Sequence, residues 1–193
     1  MELISEAQLP TKFGNFIIKV FKNPDSLVEH YVLQTNESDD VTPIVRIHSE
    51  CATGDIFGSL RCDCQDQLHA ALALIAQNKN GAVVYLKNQE GRGIGISNKI
   101  KAYHLQEQGL NTYEANEELG LPLDARNYDD AISILKILGY TSITLITNNP
   151  AKEEAIKAAG IAFTTHHISA SVNAHNKAYI DAKINIGHHH IKL

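Results

Sequence analysis

All three cysteines of the chain lie between residues 51 and 64, spaced Cys51-x10-Cys62-x-Cys64. An odd count this tightly grouped does not make a disulfide framework. The thiols are metal ligands, reactive groups or inert buried side chains. If Arg61–Cys64 is extended, Cys62 and Cys64 point to the same side and their sulfurs converge, with Cys51 arriving from a neighbouring loop. Three sulfurs around zinc leave a fourth position for water, the mark of an open catalytic site. A closed structural site would need a further ligand, for which His48 and His69 are candidates. Zinc lowers the pKa of bound water. Three thiolates weaken that effect, so the site would profit from an acid–base group. Glu50 is one candidate, and a solvated carboxylate is the alternative.

A second group of residues suits anions. Asn88-Gln89-Glu90-Gly91-Arg92-Gly93-Ile94-Gly95 follows an apolar strand and precedes a helix. That context presents backbone N–H groups and a helix N-terminus to a phosphate, and Arg92 adds a planar fork. The dinucleotide fingerprint G-x-G-x-x-G fails at its third glycine. Asp124-Ala125-Arg126 lies in a polar loop. Thr147-Asn148-Asn149-Pro150 ends a strand and opens a helix, with Lys152 in its first turn. A cation there opposes the helix dipole unless an anion binds. Arg46 and His48 lead into Glu50 and Cys51. A zinc candidate is thus paired with several cationic, phosphate-suited positions.

The elements that must hold these residues alternate. Residues 11–22 and 29–34 read as strands around a turn at Lys22–Asp25, and the acidic stretch 34–43 reads as a loop. Residues 44–48 are a short strand. Leu68, Ala71, Leu72 and Ile75 place a helix over 66–78, stopped by Gly81. A buried strand follows at 82–86, then a helix over 94–108. Further helices are expected at 128–138, 151–159 and 173–183, and further strands at 142–147 and 161–165. The pattern predicts an α/β fold, with mixed α+β as the variant. It is a single domain over 1–193, a mixed sheet flanked by helices with an N-terminal antiparallel segment.

The composition, with 44% apolar and 20% charged residues, is that of a soluble globular chain. A net charge of −5 argues against a nucleic-acid binder. No apolar run approaches the ~18 residues of a membrane span. The first residues lack the pattern of a signal peptide. A cytoplasmic protein with reduced thiols and no membrane partner is therefore expected.

Arg46-Ile47-His48-Ser49-Glu50-Cys51, Thr53-Gly54-Asp55 and Ser59-Leu60-Arg61-Cys62-Asp63-Cys64 resemble the zinc segment of the GTP cyclohydrolase II family. The likeness continues through Gln89–Gly95, Asn98-Lys99, Ala102-Tyr103, Thr112, Glu114–Asn116, Asp124-x-Arg126 and Thr147–Pro150. It extends to Asn173-x-His175-Asn176, Tyr179 and Lys183. One departure is the segment from Tyr85 to Gly91, a residue longer than usual, with Lys87-Asn88 where one arginine is common.

The resemblance implies a reaction and a site. The family opens the imidazole ring of GTP and releases formate and pyrophosphate. The product is 2,5-diamino-6-ribosylamino-4(3H)-pyrimidinone 5′-phosphate, the entry to riboflavin synthesis. Cys51, Cys62 and Cys64 would hold one Zn²⁺ per subunit, with Tyr103 near its water. Asp124 would be the proton acceptor and Arg126 the nucleophile. GTP would be bound by Arg46, Ile47, His48, Ser49, Glu50, Gln67, Glu90, Gly91, Arg92, Thr112, Thr147 and Lys152. Mg²⁺ would accompany the triphosphate, and the protein would be a homodimer.

Two roles invite a physical check. An arginine, with a pKa above ~12, is a poor nucleophile, so Arg126 could instead only stabilise charge at the α-phosphate. Glu90 could read the guanine N1–H and amino edge. Two rivals stand beside the family reading. One is a variant of the same fold that keeps the formyl group. The other is a non-enzymatic zinc protein that binds nucleotides or RNA. The final Gly187-His188-His189-His190 reads as a family Gly-His ending, with a second metal site as the alternative.

Overall fold

The computed structural model describes residues 1–38, 40–185 and 187–191. Asp39, in the acidic segment read as a loop, and Lys192-Leu193 lie outside the described residues. The strands are β1 (Glu2–Thr11), β2 (Gly14–Lys22), β3 (Glu29–Asn36), β4 (Ile44–Ser49), β5 (Asn80–Leu86), β6 (Ser142–Ile146) and β7 (Ala162–His166). The helices are α1 (Ala52–Asp55), α2 (Cys64–Asn78), α3 (Glu90–Gly93), α4 (Ile96–Glu107), α5 (Thr112–Glu118), α6 (Asp129–Ile137), α7 (Pro150–Ala158) and α8 (Lys177–Asn185).

All seven strands join one sheet in the order β1-β2-β3-β5-β4-β6-β7. β1, β2, β3 and β5 pair antiparallel, whereas β5, β4, β6 and β7 pair parallel. This is the mixed sheet with an N-terminal antiparallel segment that the sequence predicts. Alternate residues of β5 serve opposite layers. Val83 packs with Ala71, Leu72 and Ile75 of α2, and Val84 packs with Ile134 and Leu135 of α6 and Ile156 of α7. Burial on both faces explains why AVVYL reads as a continuous apolar run.

Several expected boundaries shift, each for a local reason. The strand over 11–22 is the second arm of a hairpin whose first arm, β1, is exposed along most of its length. An arm exposed on both faces carries no apolar alternation to read. The loop over 34–43 begins later than expected, because β3 runs through Asn36. The stop of α2 is Lys79, at φ 63°, and not Gly81. Gly81 is needed for a different purpose: a Cβ there would lie 2.0 Å from the Ile44 carbonyl oxygen, so glycine lets β4 and β5 approach. The helix expected over 94–108 starts at Ile96, behind the separate turn α3. The final helix starts at Lys177 rather than residue 173. α5 was not anticipated, although a capping box of Asn111 and Glu114 opens it.

The parallel strands β4, β5 and β6 all run out at the same side of the sheet. There Ser49, Leu86 and Ile146 are followed by the cysteine segment, the glycine loop and Thr147-Asn148-Asn149. Loops leaving the carboxyl ends of parallel strands are where an open α/β sheet forms its crevice.

Candidate active site

The cysteines converge. Their sulfurs all lie within 4.8 Å of one another, and those of Cys51 and Cys62 are 3.7 Å apart. The route differs from the expected extended Arg61–Cys64. The chain turns through Arg61–Asp63, and Cys64 is the first residue of α2, so a bend and a helix start aim the sulfurs. Cys51 sits just before α1. Gly54 completes the cradle: a Cβ there would stand 2.8 Å from Cys62 Sγ and 3.2 Å from Cys51 Sγ. Three convergent thiols around space that only a glycine leaves open fit a thiophilic ion such as zinc. Among the described residues no other group of His, Cys, Asp or Glu has this geometry, the C-terminal histidines included.

Asp55 orients the strand side of this cradle. Its carboxylate accepts the Cys51 backbone N–H at 3.0 Å and the Tyr85 hydroxyl at 2.7 Å, and it meets His48 Nε2 at 3.2 Å. Lys99 flanks the sulfurs from α4, with Nζ 3.2 Å from Cys51 Sγ and 2.5 Å from Glu90 Oε1. Burial works against its charge, but Cys51 and the surrounding acidic groups prevail and push its pKa up. The thiol of Cys51 is pulled down by hydrogen bonds from Cys62 and Cys64, aided by Lys99.

Glu90 does not face the cavity. Its second oxygen accepts the Ala52 N–H at 2.5 Å, so both oxygens position α1 and Lys99. Glu50 is similarly engaged: its carboxylate binds the Lys87 ammonium and accepts the Asn88 N–H at 2.8 Å. The unusual Lys87-Asn88 pair therefore holds Glu50, which leaves the proposed acid–base role with no free oxygen. Asn88 takes a φ of 62° to do so.

One cavity joins the cysteines to the cations. Arg46, Arg92, Arg126, Lys152 and Lys183 line it, together with the three sulfurs and Tyr103. Arg46 donates to Gln67 Oε1 at 2.5 Å and to the Ile146 carbonyl at 3.2 Å. Arg46 Nε and His48 Nδ1 are buried with no partner among the described residues, and both residues face the cavity. Lys152 follows the Asn149 cap and Pro150 in the first turn of α7, and its Nζ donates to the Ile47 carbonyl at 2.7 Å. Burial pulls its pKa well down, and Arg46, Arg126 and Lys183 push the same way. A bound polyanion would relieve this repulsion.

The glycine loop and the 124–126 loop are one assembly. Gly91 and Arg92 both take left-handed backbone angles, with φ of 60° and 65°. For arginine this is a strained conformation, of the kind that clusters at binding sites. The Arg92 guanidinium lies over the Tyr113 ring at 4.9 Å. The Arg92 carbonyl accepts the Ala125 N–H at 2.9 Å. Asp124 grips the Arg126 guanidinium with both oxygens, at 2.9 Å to Nε and 2.5 Å to a terminal nitrogen. Burial opposes the charge on Arg126, but this pair outweighs it and holds the pKa above the ordinary arginine value. The Arg61 guanidinium lies over the Tyr103 ring, 4.3 Å from its centre, and burial pushes the Tyr103 phenol up from its ordinary value.

Of the site residues that the family resemblance assigns, the cavity gathers all but Ile47, Glu90, Thr112 and Asp124, and the candidate ligand His69 lies outside it. Ile47 is in the core and offers its carbonyl to Lys152. Thr112 opens α5 beside Tyr113. The Thr147 hydroxyl oxygen accepts the Asn149 N–H at 3.0 Å. The sequence reading gave no role to Asp63 or Lys183, and to His189 only a share in an alternative second metal site. Asp63 bonds Lys183 at 2.5 Å and Gln67 at 2.6 Å, while Lys183 and His189 line the cavity. The signal for Asp63 was its place between two of the cysteines. For the C-terminal pair it was only a distant Lys and a His-rich end.

The sequence model of the GTP cyclohydrolase II family matches residues 2–167. The chain is 50% identical over 165 residues to a GTP cyclohydrolase-2 of Picrophilus torridus, covering 85% of each chain. It is 45% identical over 185 residues to a GTP cyclohydrolase-2 of Helicobacter hepaticus, covering 94% of each. With a riboflavin biosynthesis protein RibBA of Salinispora tropica it shares 44% identity over 186 residues, 95% of this chain and 46% of the relative. The chain thus spans about half the length of that relative and most of the other two. A family match over most of the sequence, with the cysteine cradle and the cation-lined cavity in place, shows that the chain belongs to the GTP cyclohydrolase II family of enzymes.

Proposed function

We propose that this protein opens the imidazole ring of GTP at C8, releases formate and pyrophosphate, and yields 2,5-diamino-6-ribosylamino-4(3H)-pyrimidinone 5′-phosphate for riboflavin synthesis. The observation that carries the reading is one cavity with two chemically distinct ends, three sulfurs within 4.8 Å and a cluster of buried cations. Cys51, Cys62 and Cys64 would hold Zn²⁺, which when bound supplies an activated water for hydrolytic addition. The residues of the chain do the rest. Lys99 offsets the charge of the sulfurs. Tyr103, kept protonated by burial, can orient an oxygen at the metal end by a hydrogen bond. Arg92, Arg126, Lys152 and Lys183 bind and align the triphosphate, and Mg²⁺, when bound with it, would supply further neutralisation of its charge.

Arg126 is read here as a charge stabiliser at the α-phosphate. Its bidentate pair with Asp124 holds it protonated, and a nucleophilic role would require that pair to release a proton. The remaining expectations are a homodimer in the cytoplasm. No described helix is long and apolar enough to cross a membrane.

The test is direct. Metal-analysed protein is incubated with GTP and Mg²⁺, and formate, pyrophosphate and the pyrimidine product are measured together. Stoichiometric release of all three is expected. Pyrophosphate without formate would replace this reading with the formyl-retaining one. Neither product from zinc-loaded protein would overturn the enzymatic reading. Cys62→Ser should lose zinc and ring opening together.

A further inference from the structure

The C-terminal residues fold back onto α8 instead of running away from it. The Gly187 N–H donates to the Ala182 carbonyl at 3.2 Å, and the His189 N–H donates to the Lys183 carbonyl at 3.0 Å. A Cβ at Gly187 would stand 2.9 Å from that same Lys183 carbonyl oxygen, so the turn depends on glycine. The His190 N–H then bonds the Asn148 carbonyl at 2.9 Å, which pins the segment to the loop between β6 and α7. The His190 ring packs 5.6 Å from His167, whose Nδ1 meets the Thr147 carbonyl at 2.9 Å. Between these anchors the chain has one inward position. His188 and His190 are exposed, and His189 lines the nucleotide cavity.

We propose that His189 is a phosphate-binding residue of this cavity, which takes up a proton as the triphosphate or pyrophosphate enters. The inference rests on the nucleotide reading given above. His189 shares its cavity with cations from four elements and a loop, Arg46 on β4, Arg92 on α3, Lys152 on α7, Lys183 on α8 and Arg126 before α6, and at the metal end with Lys99, Tyr103, the cysteines, Glu50 and Tyr179. The carboxylate that lines this cavity, Glu50, is already committed to Lys87 and Asn88, and Asp63, the partner of Lys183, is committed to it and to Gln67. Burial and then Lys183, Arg126, Lys152 and Arg92 pull the imidazole down to about 3, so at neutral pH it is uncharged. Phosphate oxygens reverse the sign of that environment. A protonated imidazole offers two N–H donors, both suited to charge-assisted bonds.

The experiment is calorimetric titration of metal-loaded protein at pH 7, in two buffers of different ionisation enthalpy. The probes are Mg²⁺-pyrophosphate and a non-hydrolysable GTP analogue, against wild type, His189→Gln and the exposed control His188→Gln. Proton exchange by the ligand itself is common to all three proteins. Wild type and His188→Gln should bind with a net uptake that exceeds that of His189→Gln by up to about one proton. His189→Gln should bind roughly tenfold more weakly. Equal affinity and equal proton exchange in wild type and His189→Gln would overturn the proposal while leaving the nucleotide reading intact. If no protein binds either probe, the nucleotide reading fails and the role of His189 fails with it.

Discussion

Lys183 of α8 and Asp63, the residue between two of the cysteines, form an ion pair at 2.5 Å that is almost wholly out of solvent. The second oxygen of Asp63 accepts from Gln67, which in turn accepts from Arg46. A single buried chain of polar contacts therefore ties the C-terminal helix to the cysteine turn and to β4. Removing one partner strands the other charge. Lys183→Met should cost about 3–5 kcal/mol of folding stability, read from urea denaturation. It should also loosen metal retention, read as zinc per chain after dialysis. Burial tends to raise the pKa of Asp63, but Lys183 prevails and the folded value lies below the ordinary one. The stability from this pair is thus fully present above an unfolded value of ~3.9 and is lost as pH falls through the folded value. Lys183 is shifted up, so on the alkaline side the contribution persists until pH rises beyond the ordinary lysine range. Lys183→Met should flatten the acid limb of the stability profile.

The cradle makes a sharper prediction at a residue with no functional group. Gly54→Ala puts a methyl 2.8 Å from Cys62 Sγ. Since α1 tolerates alanine, the fold should survive and the metal should not. Zinc content should fall by about an order of magnitude, in the range seen when supporting residues of metal sites are lost. A Gly54→Ala protein with full zinc content would show that the sulfurs can spread without cost.

Arg92 allows backbone and side-chain contributions to be separated. Its φ of 65° suits glycine. Arg92→Gly and Arg92→Ala both remove the guanidinium, so KM for GTP should rise to a similar extent in each. The alanine variant keeps the unfavourable backbone and should be less stable than the glycine variant by about 1 kcal/mol. Thermal denaturation and steady-state kinetics on the same preparations check both halves.

Asp124 and Arg126 should not be equivalent in kinetics. If Arg126 acts by charge, Arg126→Ala loses turnover by about 10³-fold. Arg126→Lys recovers only part of it, because the planar fork is gone. Asp124→Asn leaves a charged but less constrained arginine and should fall between wild type and Arg126→Ala. An Asp124→Asn variant as impaired as Arg126→Ala, together with a phosphoryl adduct trapped on residue 126, would establish the nucleophilic role instead.

The centre of the parallel half was legible because β4 and β5 are buried on both faces, and runs such as Ala82–Leu86 admit few other readings. β1 was not, since exposure of both faces removes the alternation on which a strand is recognised. The cysteine spacing announced a cluster able to hold a metal ion, but the path to it was misread: residues two apart can converge through a bend as well as along a strand. Glu50 looked like an acid–base group, and Glu90 like a reader of the guanine edge, because they are carboxylates beside a site. Their partners, Ala52, Lys99, Lys87 and Asn88, become neighbours only in the fold. Lys183 was the least legible of all, since the residue it serves lies 120 positions away.

The contact between the glycine loop and the loop bearing Arg126 bears on how this site can be rebuilt. Gly93 leaves only 3.2 Å between a would-be Cβ and Ala125, the Arg92 carbonyl holds the Ala125 N–H, and Gln89 donates to the Asn127 carbonyl at 2.7 Å. Residues 87–95 and 124–127 behave as one cassette interrupted by two helices. A graft that carries either half into a related scaffold without the other should give a folded protein with a misplaced arginine. Lys87-Asn88 can then be exchanged only along with the segment that closes over it.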